Sequence, residues 1–159
     1  MNKQIILVPV IIGISLFFAS STFAQDGNYK SSIGASIGRP TGLNFKAFIS
    51  DKGALDFVAG TRLSSGFSDI WVMGLFQFHQ DMKSEGAKFY FGGGITALYT
   101  KLPFTQLRAG IAGNIGLEYK FAEAPIVLAI DWSPTAYLIG SPKEIDFTFV
   151  ALKARYVLN

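Results

Sequence analysis

From Ser32 to Asn159 the chain divides into about eight stretches in which every second residue is apolar, each closed by turn-forming residues. The first, 30–38, alternates Ile33, Ala35 and Ile37 with Ser32, Gly34 and Ser36. The second, 43–49, alternates Leu43, Phe45, Ala47 and Ile49 with Asn44 and Lys46, and the third, 54–63, sets Leu55, Phe57, Ala59 and Leu63 against Asp56, Gly60 and Arg62. Stretch four, 70–79, is the least regular: Trp71, Met73 and Leu75 crowd the face that also carries Gln77 and His79. Stretches 88–99, 107–121 and 125–133, and a last one from Asp146 to the end, repeat the pattern. A period of two predicts β-strands, and 43–49 and 126–132 do not fit the period of an amphipathic helix.

Between the strands, Arg39-Pro40-Thr41-Gly42, Ser50-Asp51-Lys52-Gly53 and Ala122-Glu123-Ala124 read as tight turns, with longer links at 64–69, 80–86, 100–106 and 134–144. The expected fold is all-β: an eight-stranded antiparallel up-and-down barrel, closed on itself with an interior just wide enough for side chains to fill.

The two faces differ in kind. One is apolar and aromatic; the other holds Gly34, Gly60, Gly92, Gly94, Gly110 and Gly116 with a few charges of both signs. A solvated surface would be rich in Lys, Glu and Gln, so the glycine-rich face reads as the lumen and the apolar face as the outside. Lys46, Asp56, Arg62, Glu118, Asp131, Lys153 and Arg155 are then expected to form a luminal charge network, because buried charges must be paired. Glu118 is expected to pair with Lys153 or Arg155 across strand seven. On the apolar face, Phe78, Phe89, Tyr119, Phe121 and Tyr156 fall near one end of their strands, and Tyr99 and Trp132 near the other. Two aromatic girdles around an apolar band are what a barrel needs at the two water–lipid interfaces. The reverse orientation, apolar inside, would make a secreted lipocalin-like carrier.

Composition agrees with a lipid-facing wall. Charged residues make up 16% and hydrophobic ones 50%, with 14 Lys and Arg against 11 Asp and Glu. No basic run suited to nucleic acid occurs. Residues 1–24 read as an export signal: Lys3, an apolar core from Ile5 to Phe18, then small residues, with cleavage between Ala24 and Gln25. The uncharged run from Gln4 to Ala24 also approaches the ~20 residues of an uncleaved anchor. The chain has no Cys, which excludes a disulfide scaffold and a lipoprotein anchor. Residues 25–159 form the one expected domain.

The segments Gly116-Leu117-Glu118-Tyr119-Lys120-Phe121, Ala124-Pro125-Ile126 and Ala129-Ile130-Asp131, with the aromatic-alternating last strand through Tyr156, resemble the small eight-stranded outer-membrane barrels of the OmpA and OmpX type. The likeness is strongest to the porin-like barrel proteins of Bacteroidetes. It implies a Gram-negative outer membrane, with bilayer lipid, lipopolysaccharide and the barrel assembly machinery as partners. Family members usually end on an aromatic residue, whereas this chain ends Val157-Leu158-Asn159.

Candidate chemistry is sparse. The glycines at 92–94, 110, 113 and 116 lie inside strands and not before a helix, so wall closeness explains them better than a phosphate cradle. His79 is the single histidine; no Ser lies beside it in the strand pattern, and a structural role is expected. One His and no Cys argue against zinc. The expected function is structural or surface-interactive, without catalysis or cofactor and with no external ligand identified; a lipid-A-modifying enzyme and a narrow pore remain open.

Overall fold

The computed structural model describes residues 29–64, 67–102 and 105–158, the side chains of 62–64, 67–68 and 102 excepted. The expected export segment, with Ala24 and Gln25, lies outside the described residues.

Among the described residues, ten strand segments form one antiparallel sheet: β1 (Ser31–Gly38), β2 (Thr41–Phe48), β3 (Gly53–Ser64), β4 (Phe67–Asp81), β5 (Ala87–Leu102), β6 (Gln106–Lys120), β7 (Ile126–Trp132), β8 (Thr135–Ile139), β9 (Ile145–Asp146) and β10 (Val150–Val157). Each of β1 to β6 pairs with the next, β6 pairs with both β7 and β8, and β10 pairs with β7 and with β1, which closes the ring. The ring has eight staves, because β7 and β8 share one and β9 and β10 share another. No helix occurs among the described residues.

Alternation decides what the ring encloses. Phe57, Phe91 and Leu128 stand on the outer wall, 46%, 44% and 46% exposed, while Lys46 and Asp56 are fully buried and Arg155 is 1% exposed. The polar face is therefore inside and the apolar face outside, the opposite of a soluble carrier. Pairing from Ala35 through Leu43, Ala59, Val72 and Ala97 arrives at Ala109 on β6. Going the other way through Ala154 and Leu128 arrives at Tyr119, ten residues further along the same strand. That stagger tilts the staves and fits the ~35–45° tilt of small barrels.

Several boundaries depart from the expectation. The link expected over 134–144 is mostly strand: β8 continues the line of β7 along β6, and only 140–144 form the turn before β9. Two causes account for it. Pro134 has no N–H for the ladder, so it interrupts the stave locally while its carbonyl still accepts from Gly113 N at 2.8 Å. On the partner stave, residues 147–149 oppose only Ser133 and Pro134, a one-residue bulge. The links at 64–69 and 100–106 shrink likewise, as β3 reaches Ser64, β4 starts at Phe67, β5 reaches Leu102 and β6 starts at Gln106. The sequence makes 39–42, 64–69, 100–106 and 134–144 the outward links, expected, apart from the first, to equal or exceed the turns 50–53, 80–86 and 122–124. At the end far from the chain termini (the distal end) the loops are in fact no longer than those at the proximal end, and loop length does not orient the barrel.

Candidate functional site

The most chemically loaded region is the proximal half of the lumen. Inward positions on five staves bring six ionic side chains together, all at most 4% exposed. Lys46 on β2 donates to Glu118 Oε2 at 2.9 Å and stands 4.2 Å from the centroid of the Tyr90 ring. Arg155 Nη1 on β10 donates to the same oxygen at 3.1 Å. Lys153, two residues earlier, instead bridges Asp56 Oδ2 at 2.8 Å and Asp131 Oδ2 at 2.6 Å. Arg155 Nη2 lies 4.0 Å from Asp56, linking the two halves of the network. Three cations face three carboxylates, so the cluster balances its own charge.

Of the two partners expected for Glu118, the geometry thus brings Arg155 and not Lys153, although register puts Lys153 on the row of Glu118 through Ala129. Lys46, expected in the network but not as the partner of Glu118, makes the shortest contact with it. Arg62 is not brought to the cluster by its backbone, which pairs with Asp69 near the distal end; its side chain lies outside the described residues.

Neutral groups complete the shell. The Tyr29 hydroxyl, just before β1, donates to Glu118 at 3.1 Å, and the Tyr90 hydroxyl donates to Asp131 at 3.1 Å. Gln77 Nε2 contacts Asp56 at 3.1 Å and Asn114 Oδ1 at 2.8 Å, and Asn114 Nδ2 donates to Ser133 at 2.8 Å. His79 Nε2 lies 3.2 Å from Lys46 Nζ, with the ring between Phe48 and Tyr90 at centroid distances of 4.7 and 5.1 Å. The same Nε2 lies 3.8 Å from Glu118 Oε1, while Nδ1 is buried without a hydrogen-bond partner among the described residues. No serine hydroxyl is hydrogen-bonded to His79 among the described residues, and no group of metal-ligating side chains is gathered there.

Parity along the strands makes Gln77, Tyr90 and Asn114 findable as inward positions. Tyr29 is not, because it precedes the alternating pattern. It seals the proximal mouth edge-on against Phe48, centroids 5.1 Å apart.

The distal half is filled differently. Trp71, Leu98, Tyr137 and Phe149 form a buried cluster, with Val58, Met73, Leu75 and Ala112 as a second one. Trp71 Nε1 donates to the Tyr137 hydroxyl at 3.2 Å and meets Phe149 edge-on at 5.9 Å. Two guanidinium groups cap the cluster. Arg39 stands 5.1 Å from the Phe149 centroid and pairs with Asp146 at 3.2 Å; Arg108 stands 4.5 Å from the Tyr137 centroid and pairs with Glu144. The irregular stretch 70–79 is explained here, since Trp71, Met73 and Leu75 point inward to fill this half.

On the outer wall, Phe78, Phe89, Tyr119, Phe121 and Tyr156 gather at the proximal end, with ring contacts such as Tyr119–Phe121 at 5.0 Å. Tyr99 lies toward the distal end of β5. Trp132 does not belong to a distal girdle. Its stave continues seven residues to Ile139, so the ring sits midway, stacked on Phe147 at 6.3 Å and donating to the Phe147 carbonyl at 2.8 Å.

Fold and lumen together define a closed eight-stave barrel with an apolar exterior and an ionic interior. No family model matches the chain, and no curated protein matches it. Among solved structures, the crystal structure of the N-terminal β-barrel domain of Pseudomonas aeruginosa OprF is similar to it, with a TM-score of 0.65. The match covers 82% of this chain and 98% of that domain at 15% identity, a likeness of fold.

Proposed function

We propose that the protein is an integral outer-membrane barrel of a Gram-negative bacterium, related to the porin-like barrels of Bacteroidetes, with a structural or surface-interaction role and no catalytic activity. One observation carries this reading: the outer wall is apolar from stave to stave while the ionic side chains are enclosed. In water such a wall would aggregate; in hydrocarbon it is the stable orientation, and strand pairing satisfies the backbone as a bilayer requires. The chain is exported by its N-terminal segment, cleaved between Ala24 and Gln25, and the assembly machinery inserts it from the periplasm. Both termini stay on that side, and the distal turns face outward toward lipopolysaccharide.

The filled lumen supports a stabilising role over a pore. Tyr29 and Phe48 close the proximal mouth, and the Trp71 cluster closes the distal one. The test is to fractionate membranes and run boiled and unboiled samples on a gel. The expected result is outer-membrane recovery with a mobility shift on boiling; release without detergent overturns the reading. In a planar bilayer the intact protein is expected to give no stepwise conductance.

A further inference from the structure

The wall is not of even height. At the distal end β3 and β4 reach Ser64 and Phe67, β5 and β6 reach Leu102 and Gln106, and β8 reaches Ile139, but β1 and β2 already turn at Arg39 and Pro40. The ten-residue stagger lifts each paired row steadily from β1 toward β6. Leu107, reached from Thr41 through Thr61, Ile70 and Tyr99, therefore stands well above the turn. With a rise of ~3.3 Å per residue and a tilt of ~40°, the turn stops roughly 10–15 Å short of its neighbours. It also stands roughly 15 Å above the proximal aromatic side chains, inside an apolar band that is ~25 Å tall in such barrels. The gap thus opens at hydrocarbon depth.

Its two sides are strand edges. Above Thr61, β3 pairs with β4 alone, and β9 pairs with β8 alone, among the described residues. Open edges facing lipid are costly unless something covers them. The outward residues flanking the gap are exposed and apolar: Ile37, Leu43, Ile145 and Phe147. The turn itself folds inward, with Pro40 packed so closely on Gly60 that a Cβ there would lie 2.6 Å from the proline. Among the described residues, one side chain reaches across the gap. Arg39 bonds Thr148 and Asp146 on the far side and covers Trp71 and Phe149, 5.6 and 5.1 Å from their centroids.

We propose that this seam is a lateral portal latched by Arg39. When Arg39 releases Asp146, an acyl chain of the surrounding bilayer enters the cleft and packs against Trp71 and Phe149. The occupant is hydrocarbon because the outward flanks Ile37, Leu43, Ile145 and Phe147, the ring cluster behind and the depth are apolar, and Arg39 with Asp146 and Thr148 is the polar gate across them. The inference rests on the reading that the barrel spans a membrane.

The chain's two tryptophans separate that reading from the portal. Trp71→Phe leaves outward Trp132 as the reporter; Trp132→Phe leaves Trp71. Each variant is folded into phosphatidylcholine vesicles with brominated acyl chains, its fold checked by the mobility shift on boiling. Trp132 is expected to be quenched strongly and Trp71 weakly. Adding Arg39→Ala, or Asp146→Asn, to the Trp71-only protein should raise its quenching toward that of Trp132. Trp132 left unquenched sinks the membrane reading itself. Trp132 quenched while Trp71 stays bright in the latch variants overturns the portal alone, as does Trp71 quenched only by aqueous acrylamide, which means opening upward to water. If Arg39→Ala does not fold, Asp146→Asn, which keeps the arginine and the shape of its partner, decides.

Discussion

The proximal and distal halves of the lumen solve one packing problem with opposite chemistry. Proximally, Lys46, Lys153 and Arg155 are neutralised by Asp56, Glu118 and Asp131 across the lumen. Distally, Trp71, Leu98, Tyr137 and Phe149 fill the same width with apolar and aromatic groups, and Arg39 and Arg108, each paired with a carboxylate, lie over them. The ionic half ties β2, β3, β6, β7 and β10 together with directional contacts and so fixes which stave faces which. The apolar half contributes mainly burial, with the Trp71–Tyr137 hydrogen bond as its internal directional contact among the described residues, and its seam is crossed by Arg39. The difference teaches that the barrel is locked at the end carrying its termini and yielding at the other.

Removing one member of the ionic half should have the largest effect. Arg155 has a single hydrogen bond among the described residues, to Glu118, while its Nε and Nη2 have none. Glu118→Ala therefore leaves Arg155 and Lys46 without their carboxylate, and about 3–5 kcal/mol of stability in urea unfolding should be lost. Leu98→Ala in the apolar half leaves a cavity and is expected to cost ~2–4 kcal/mol in the same measurement. A loss as large as that of Glu118→Ala would erase the contrast.

Closeness of the wall gives a third prediction. A Cβ at Gly116 would lie 2.5 Å from Cζ of Tyr90 and 2.6 Å from the Ile130 carbonyl oxygen, so Gly116→Ala must displace both the ring, which bonds Asp131, and the neighbouring strand. A cost of ~1–3 kcal/mol is expected, measured with Tyr90→Phe as the companion that removes the hydroxyl alone. A double-mutant cycle sharpens the comparison further: Lys46→Met combined with Glu118→Gln should recover ~1 kcal/mol or more relative to additivity. Met73→Ala with Leu98→Ala in the other half, drawn from separate buried clusters, should add independently. Smallest of all, Asp146→Asn at the partly solvated latch should change global stability by less than ~1 kcal/mol, as surface pairs do.

The sequence reads best where one strand meets uniform surroundings on each face. Stretch 43–49 alternates cleanly because Asn44 and Lys46 meet only the polar lumen and Leu43 and Phe45 face only the outside. Stretch 70–79 reads poorly because its inward face crosses from His79 and Gln77 in the ionic half to Trp71 in the apolar half. Trp132 was misplaced along its stave because Pro134 looks like a stop, yet a proline beside a bulge only interrupts the ladder. Partners within the network were hidden for another reason: pairing around the ring orders rows, but long side chains reach across the lumen. Lys46 thus meets Glu118, four staves away on the ring, which no strand pattern specifies.

Orientation of the two faces is the claim on which the whole account stands. The chain has no cysteine, so a single one can be introduced at each position from 126 to 132 and spin-labelled in vesicles. Collision with dissolved oxygen should then be high at Ile126, Leu128, Ile130 and Trp132 and low at Val127, Ala129 and Asp131. A flat profile, or maxima at Val127 and Ala129, would contradict an apolar wall turned toward lipid around an enclosed ionic core.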